Sequence, residues 1–558
     1  RENMTAEKKV FVRKATGLVR EIGFVTAVLV VICNVVGLGW QKRAFQFTGP
    51  APVPETTYVL GLAPITMSFI LVGIVVLFTV FVFAILGAAM PRSGGGYIWI
   101  SRLIHPFVGF VGSMVEYWSI AVSFGLIGTA VFEAVLIYGS VGGVSPDLMA
   151  FMGQPLFLFL GGIFFVVLFA VIACLGVALA GRLLQIMFWI PLAITVLLYG
   201  ALMAATPATM EAGLMAITGH DATYYTKIAL DQGMATAFTG SYWDAHNVAV
   251  LGSYWAYIGF AASTFVAGEI KEASKTLPRT LFLANGFIIL LYITMSYLAV
   301  RACMMVGQVG DWSFFNAYSY LSYVGERPPE LPKAWMPVVA AFSAKGMGWD
   351  WLLALIPIFA AFWVANDIPP FILTASRLLF AMSFDRVVPE SLAAVNERFH
   401  SPINAIIATM LVAFIGNAAE SDIFPAFLGA DHTLSRYINS GSGVAATDIW
   451  DTMFFLLAAI AGLFFVFRKK GKEIYERSAY KPRSIGVVAV IALIAVVGNI
   501  WLSYAEFSAA AMLYPIETWL LTLYVIIVGA LVYLYYKYAV GKRAGVDYTT
   551  VYAEVPPE

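Results

Sequence analysis

Charged residues are scarce in this chain. Asp, Glu, Lys and Arg make up 12% of its 558 residues, whereas soluble globular proteins carry roughly 25%. The 33 basic and 33 acidic residues cancel, so the composition indicates neither nucleic acid nor an acidic protein as a partner. Hydrophobic residues make up 61%, many of them in apolar runs of about 20 residues. The sequence therefore predicts a polytopic protein of the lipid bilayer.

Cysteine and histidine are scarce as well. The cysteines, Cys33, Cys174 and Cys303, all fall inside apolar segments, so disulfides are not expected. The five histidines are scattered, and we find no metal-ligand cluster, nucleotide-binding glycine loop or nucleophile–base pair. We therefore expect no metal, no cofactor and no enzymatic activity. The lack of a pore-loop filter sequence favours a carrier over a channel.

Twelve apolar runs are long enough to cross a bilayer. An even number places both termini on one side, and a cytoplasmic N-terminus puts about 25 of the 33 Lys and Arg on the inner face. We therefore expect a multi-pass protein of the plasma membrane with both termini in the cytoplasm. The expected spans, numbered 1 to 12, are 23–47, 63–89, 106–138, 155–180, 183–205, 248–268, 280–306, 350–384, 402–418, 448–467, 484–507 and 514–537.

Two of these spans are interrupted by glycine near their middle. Glycine lowers helix propensity by about 1 kcal/mol relative to alanine, so a helix is expected to give way there. Backbone freed at this depth is tolerated only where it lines a cavity or a ligand site, and paired breaks indicate the substrate site of a secondary transporter. The predicted site residues are Val36, Gly37, Leu38 and Gly39 in span 1 and Ile258, Gly259, Phe260, Ala261, Ala262 and Ser263 in span 6.

The order of broken and long spans predicts an internal repeat. Spans 1 and 6 are broken, and spans 3 and 8 are unusually long. Because five is an odd number, successive five-span units must have opposite orientations in the membrane. We predict an all-α polytopic membrane protein of 12 transmembrane helices, a five-plus-five inverted repeat with two appended helices. The predicted divisions are a cytoplasmic segment (1–22), the first repeat (23–205), an extracellular loop (206–247), the second repeat (248–468), spans 11 and 12 (484–537) and a cytoplasmic tail (538–558).

Three motifs follow one another in a fixed order. The first is a proline, serine and triple-glycine loop at 90–99, followed by Ser101-Arg102 and by 106–110, and the second is a Tyr-Ile-Gly-Phe segment at 257–260 with its exit at 268–279. The third is a Ser-Arg-Leu-Leu-Phe-Ala-Met sequence at 376–382 with Asp385-Arg386 and Pro389, near the end of span 8. In type, order and spacing they resemble the amino acid–polyamine–organocation (APC) superfamily of transporters, which has the LeuT-type fold.

The resemblance implies how the two breaks bind a substrate. In the family, backbone N–H groups at the first break meet the substrate carboxylate, and carbonyls at the sixth span meet its ammonium. Helix physics agrees, because a half-helix N-terminus has unpaired N–H donors and a C-terminus presents carbonyls. The resemblance implies Gly37, Leu38 and Gly39 for the carboxylate, and Ile258, Phe260 and Ala261 for the amine.

Three further side chains are candidates for the substrate pocket. Trp255 stands where the arginine–agmatine antiporters have an aromatic gate, although it is equally an ordinary packing tryptophan. Ser119 and Ser123 are one helical turn apart in span 3 and could line the pocket, although serine in membrane helices often serves packing.

Span 8 carries an acid beside two prolines. The prolines at 369–370 lack an N–H group, which frees the carbonyls of Ala365 and Asn366, and Asp367 lies beside them. An intramembrane acid is a functional hypothesis by default. Three interpretations stay open. Asp367 could carry a proton, could ligate a sodium ion with these carbonyls, or could be structural and paired with a neighbour such as Asn34.

Other charged and polar positions depart from the family pattern. Lys42 and Arg43 follow the glycines of span 1, where they are expected to reach the membrane surface or to attract anionic substrates. Glu116 is expected to pair with a cytoplasmic cation, and Glu133 to be solvated at the outer end of span 3. Ala261 stands where the antiporter subgroup has an acid, which disfavours a dedicated importer of dibasic amino acids.

The sequence as a whole predicts a carrier. It would move amino acids or related organic amines by alternating access, either coupled to H+ or Na+ or exchanging substrates. The alternative is a transporter-like, non-transporting subunit of a larger membrane complex, with a protein partner that the sequence does not identify. A pocket that binds solute favours the carrier. A plugged pocket with a persistent apolar flank against another protein favours the subunit.

Overall fold

The computed structural model describes residues 10–12 and 15–557, and within them the chain is helical, with no strand and only three isolated β-bridges. The predictions for 1–9, 13–14 and 558, which belong to the two cytoplasmic segments, lie outside the described residues. The all-α polytopic class is confirmed, and the division into two five-span repeats stays a prediction.

Eleven helices of the described chain are long and apolar enough to cross a membrane. They correspond to spans 1–5 and 7–12, whereas span 6 is too strongly broken to qualify, as Tyr242–Tyr257 followed by Ala262–Phe265. The eleven are Phe24–Thr48, Pro64–Ala89, Pro106–Val141, Pro155–Cys174, Val177–Met203, Ala273–Met304, Asp350–Phe384, Ile403–Glu420, Ser440–Phe467, Ile485–Leu513 and Ile516–Arg543.

Spans 5, 6, 7 and 10 begin six to eight residues earlier than their apolar runs, and side chains cap the starts of spans 6 and 10. Span 10 begins at Ser440, where the Asn439 side chain accepts a hydrogen bond from the backbone N–H of Ser442. Span 6 begins at Tyr242, behind a capping box formed by Ser241 and Asp244. Both extensions carry polar residues, so a count of apolar residues misses them, while the capping side chains fix the helix start.

The long connections are folded. They contain the helices Pro207–Thr218, Ala222–Asp231, Phe314–Tyr323, Met336–Gly346, Ile423–Leu428 and Thr433–Tyr437. The face at the other end of the bundle has the short helices Gly96–Leu103, Lys469–Arg477 and Tyr548–Ala553. Following the predicted orientation, we call the side of the long connections outer and the opposite side inner.

Burial separates central spans from peripheral ones. In the most apolar window of each span, 83% of span 1 and 78% of span 3 is buried inside the protein, against 28% for spans 4, 11 and 12. Spans 4, 11 and 12 therefore present most of their surface to lipid. Span 1, with its break, lies at the centre of the bundle, where a ligand would be enclosed by protein.

Candidate functional site

Span 1 breaks at Val36 and Gly37. Its first helix, Phe24–Val35, ends where Val36 takes an extended conformation with φ −88° and ψ 92°. Helical backbone resumes at Leu38, and a π-helical turn then runs directly into the helix Ala44–Thr48. The break therefore falls within the predicted glycine segment, and it turns the N–H end of the second half toward the bundle centre.

Span 6 breaks opposite it. Its helix ends at Tyr257, and Gly259 has φ +99°, a conformation that residues with a Cβ avoid. A Cβ at Gly259 would lie 1.8 Å from Nδ2 of Asn34. The two breaks are therefore in contact, and glycine at 259 is required both for the backbone angle and for this close approach.

Span 7, which the site prediction left out, satisfies several carbonyls at the breaks. The Tyr292 hydroxyl lies 2.5 Å from the Val35 carbonyl oxygen and 2.8 Å from that of Ala256, at the ends of both first half-helices. Asn285 donates its amide N–H to the Phe260 carbonyl at 2.9 Å. A tyrosine and an asparagine inside an apolar span were the sequence signals for these contacts.

The carbonyls implied for a substrate amine are therefore partly occupied. Phe260 is bound by Asn285, and the Ala261 carbonyl accepts from the N–H and the hydroxyl of Thr264 at 2.9 and 2.8 Å. Of the three, only the Ile258 carbonyl has no donor in the described chain. Ala262 and Ser263 open the second half-helix and are buried. The substrate-binding roles of these residues stay predictions.

Asp367 reaches the first break from span 8. Span 8 is interrupted between the helices Ile356–Ala365 and Ile368–Phe384, and Asp367 stands at this junction. Its Oδ2 accepts a hydrogen bond from the Leu38 N–H at 3.2 Å. The same oxygen would lie 1.9 Å from a Cβ added at Gly37, so only glycine leaves room for this carboxylate. Its Oδ1 has no partner among the described residues.

The other residues predicted for coupling do not all converge on Asp367. Asn366 turns to span 5, where its amide donates to the Met187 carbonyl at 3.0 Å. Asn34 lies against Gly259, and its Oδ1 finds no partner in the described chain. Ala365 ends the first helix of span 8 and is buried.

Thr447 of span 10 connects two of the remaining candidates. The Trp255 indole donates a hydrogen bond to the Thr447 hydroxyl at 3.3 Å, and the Ser119 hydroxyl donates one to the Thr447 carbonyl at 2.8 Å. Ser119 is therefore engaged with span 10. Ser123 is buried, and its hydroxyl has no partner among residues 15–557. The Trp255 ring also makes a cation–π contact with Arg43, whose guanidinium carbon lies 4.7 Å from the ring centroid.

An outer ion layer closes the bundle on the side of the long connections. Glu420 of span 9 is 2.7 Å from Lys42 and 2.8 Å from Arg43, while Glu133 of span 3 is 2.6 Å from Lys42 and 3.1 Å from Lys333. The prediction that Lys42 and Arg43 reach the surface is wrong, since they are 3% and 0% exposed. The expectation of a solvated Glu133 is wrong as well, because its side chain is 12% exposed and paired with Lys42 and Lys333.

An inner ion layer is built from the three motifs. Arg377 makes two hydrogen bonds to Glu269, each of 2.8 Å, and Arg102 contacts Asp385 through two nitrogens at 2.5 and 2.8 Å. Tyr97 donates its hydroxyl to Asp385 at 2.7 Å. The sequence motifs therefore correspond to two bidentate arginine–carboxylate pairs that tie spans 6 and 8 and the loop before span 3.

A buried acid cluster lies between spans 3, 10 and 11. It comprises Glu116, Asp448, Asp451 and Glu506, and the Tyr254 hydroxyl donates to Asp451 at 2.7 Å. Glu116 interacts with Asp451, so the expectation of a cationic partner for it is wrong. Both oxygens of Asp448 lack a hydrogen-bond partner within the described residues.

The breaks are enclosed between the two layers. A cavity of about 520 Å³ opens on the outer side, and Lys42 and Lys333 of the outer layer form part of its wall. On the inner side, Pro556 lines a narrow pocket beside Ser93 and Gly268. Such an enclosed site with two broken helices is typical of a carrier between its open states.

Comparison with known proteins agrees with this geometry. The family model for amino acid permeases matches residues 22–532. A branched-chain amino acid permease of Lactococcus lactis, BcaP, is 25% identical over 79% of each chain, and the mouse Asc-type amino acid transporter 1 is 24% identical over 72% of this chain and 66% of its own. The chloroplastic cationic amino acid transporter 7 of Arabidopsis thaliana is 26% identical over 38% of this chain and 34% of its own. The chain is thus a multi-pass membrane transporter that belongs to the amino acid permease family of the APC superfamily.

Proposed function

We propose that this protein is a secondary carrier of amino acids or related organic amines in the plasma membrane, with both termini in the cytoplasm. The observation that supports it most directly is the contact between the breaks of spans 1 and 6, at Asn34 and Gly259. Half-helix ends that meet at the centre of a bundle supply donors and acceptors for a small polar solute.

The two ion layers support alternating access. The outer layer joins the second half of span 1 to spans 3 and 9, and the inner layer joins the ends of spans 6 and 8. Passage of a solute requires each layer to separate in turn, while the other stays closed. The described conformation, with both layers paired, then corresponds to the occluded state.

Asp367 is the residue through which we expect coupling. It is buried at the first break, and its Oδ1 has no partner in the described chain. A proton would neutralise this carboxylate, whereas a sodium ion would use it as a ligand. Transport driven by a gradient of either ion therefore depends on this side chain.

Uptake into proteoliposomes tests both parts of this proposal. The wild type is expected to accumulate at least one radiolabelled amino acid or amine when a pH or sodium gradient is imposed, and Asp367→Asn should lose the gradient dependence. Asp231→Asn, on an exposed helix of the outer connections, serves as the matched control. Gradient-driven uptake that is unchanged in Asp367→Asn would contradict the coupling role.

A thermal-shift screen identifies the solute first. A ligand at 100 times its dissociation constant adds about 2.7 kcal/mol to the free energy of unfolding, which moves the unfolding midpoint measurably. The screen covers the amino acids and common amines, with and without sodium, at two pH values. No shift and no uptake with any of them would favour the non-transporting subunit.

A further inference from the structure

The N–H end of the second half of span 1 already holds a carboxylate. Helical backbone continues from Leu38 to Thr48 without interruption, so its first N–H groups have no partner within the helix. Such an end favours an anion, through its free donors and through the helix dipole. Here the anion is the side chain of Asp367, bound to the Leu38 N–H at 3.2 Å.

The Asp367 carboxylate fills this place sterically. A Cβ at Gly37 would lie 1.9, 2.1 and 2.2 Å from Oδ2, Cγ and Oδ1 of Asp367, so the whole carboxylate rests on the Gly37 backbone. Asp367 itself is 2% exposed and stands just before the helix that begins Ile368-Pro369-Pro370. A second carboxylate at the same N–H groups would clash with the Asp367 side chain and would be repelled by its like charge.

Two acceptors beside the breaks lack a hydrogen-bond donor. Oδ1 of Asp367 and Oδ1 of Asn34 are both buried, and neither has a donor among the described residues. Trp40 Nε1 and the Ser263 hydroxyl also lack partners there. However, no positively charged group of the described chain neighbours Asp367, which acts on Cys33 of span 1 and Tyr292 of span 7. The two acceptor oxygens therefore suit a cation with N–H donors, which an ammonium group supplies threefold.

The surrounding side chains are mostly aromatic. Trp40 packs on Tyr292 and Phe359 with ring centroids 6.3 and 6.0 Å apart, and Phe260 packs on Phe83 and Phe455. Aromatic rings on the residues of both breaks suit a cation with an apolar body.

Resting on the carrier function proposed above, we infer that the transported substrates are apolar primary amines without a carboxylate. Asp367 takes the place that the carboxylate of an α-amino acid would occupy, and its free oxygen pairs with the substrate ammonium in exchange for the proton or sodium ion that it holds in the absence of substrate. The amino acid permease fold is thereby adapted to the decarboxylated counterparts of apolar amino acids. Asp367 is a specificity-determining residue in this arrangement.

Matched pairs of ligands test the inference on the full-length protein. The pairs are leucine with 3-methylbutylamine and phenylalanine with 2-phenylethylamine, each differing only by the carboxylate. We expect each amine to bind at least tenfold more tightly than its amino acid, as measured by thermal-shift titration and by uptake into proteoliposomes. This ratio is read on the wild type, so it does not depend on whether a variant folds.

Two variants sharpen the test. Asp367→Asn removes the negative charge and should weaken amine binding at least tenfold. Asp367→Gly vacates the Leu38 N–H group and should invert the preference, so that the amino acid of each pair binds better than the amine. Asp231→Asn should keep the wild-type ratio, because its side chain lies on an exposed outer helix.

The outcomes separate the inference from the carrier function. Binding and uptake of the amino acids in preference to the amines would overturn the inference and leave the carrier intact. Protection by sodium alone that is lost in Asp367→Asn, without an effect of the amines, would also overturn it and assign the carboxylate to an ion. A failure of every solute to bind or to be taken up would overturn the proposed function itself.

Discussion

The two ion layers and the centre of the bundle hold buried charge in opposite ways. In the outer layer three cations surround two carboxylates, and in the inner layer each arginine has its own carboxylate. At the centre, Asp367 and Asp448 each have oxygens without any partner in the described residues. Each charge in the two layers has an oppositely charged partner within the protein, whereas an unpartnered acid at the centre depends on a proton, an ion or a substrate.

This difference has an energetic consequence. Removing one partner of a buried ion pair leaves the other charge uncompensated and costs about 3–5 kcal/mol. Removing a buried acid that has no partner leaves no opposite charge uncompensated, and it also removes the cost of burying that acid away from water. Replacing a carboxylate by its amide should therefore lower the free energy of unfolding in the two layers and raise it at the centre.

The largest effect is expected in the outer layer. Glu420→Gln should lower the free energy of unfolding by about 3–5 kcal/mol, because Arg43 and Lys42 would lose the carboxylate that they share. Thermal unfolding of the purified protein measures this change. Glu476→Gln is the control, since its exposed pair with Lys481 should contribute at most about 1 kcal/mol. Equal losses in the two variants would show that the layer is energetically unimportant.

Asp448→Asn should act in the opposite direction. Asp448 lies beside Glu506 and Asp451, whose repulsion outweighs the attraction of Arg43, and neither of its oxygens has a hydrogen-bond partner in the described chain. Neutralising one of three neighbouring acids relieves repulsion, and we expect a gain of about 1–2 kcal/mol in the free energy of unfolding. A loss as large as that of Glu420→Gln would remove the distinction between layers and centre.

A smaller effect is expected where the tail contacts the inner layer. The Tyr552 ring lies 5.0 Å from the Arg102 guanidinium, and its hydroxyl lies 3.2 Å from that of Tyr97. Tyr552→Leu should cost at least about 1 kcal/mol, because it removes the cation–π contact, the hydroxyl contact with Tyr97 and part of the buried ring volume. The exposed Tyr504→Leu is the matched control in the same thermal assay. No difference between the two variants would mean that the tail does not stabilise the layer.

The parts of this structure that the sequence predicted are those with a local cause. The breaks at Gly37 and Gly259 follow from helix propensity within a few residues, and the spans follow from apolar runs. The family assignment also rests on contiguous motifs. These signals need no knowledge of which spans pack together, so they were sufficient for the fold class and for the position of the breaks.

The partners of the buried charges could not be predicted in that way. Lys42 meets Glu133 and Glu420, which are 91 and 378 positions away along the chain. The contact of Asp367 with Leu38 spans 329 positions. Such pairings depend on how spans 1, 3, 8 and 9 pack, and a single sequence does not specify it. The expectation that Lys42 and Arg43 reach the surface failed for this reason, since apolar neighbours along span 1 do not reveal acids on other spans.

The smallest effect is expected at the rim of the outer layer. Asp422 is half-buried, lines the outer cavity with Lys42 and Lys333, and accepts a hydrogen bond from the Ser440 N–H at 2.9 Å. Burial raises the pKa of Asp422 to about 6, against the smaller effect of that hydrogen bond and of the two lysines. Because the folded state holds this proton more tightly than the unfolded chain, the contribution of Asp422 to stability falls as pH rises from about 4 to about 6.

Asp422→Asn keeps the hydrogen-bond acceptor and removes the titration. Between pH 5 and pH 7 the wild type should lose about 1 kcal/mol of stability relative to this variant, a value reduced for the partial exposure of the side chain. Thermal midpoints at pH 5, 6 and 7 measure the difference, with the exposed Asp431→Asn as control. If the stability of Asp422→Asn and of the wild type changed with pH in parallel, Asp422 would stay ionised over this range, like the paired carboxylates of the outer layer. A difference in slope would instead show that a charge at the rim, like those at the centre, exchanges a proton with its surroundings.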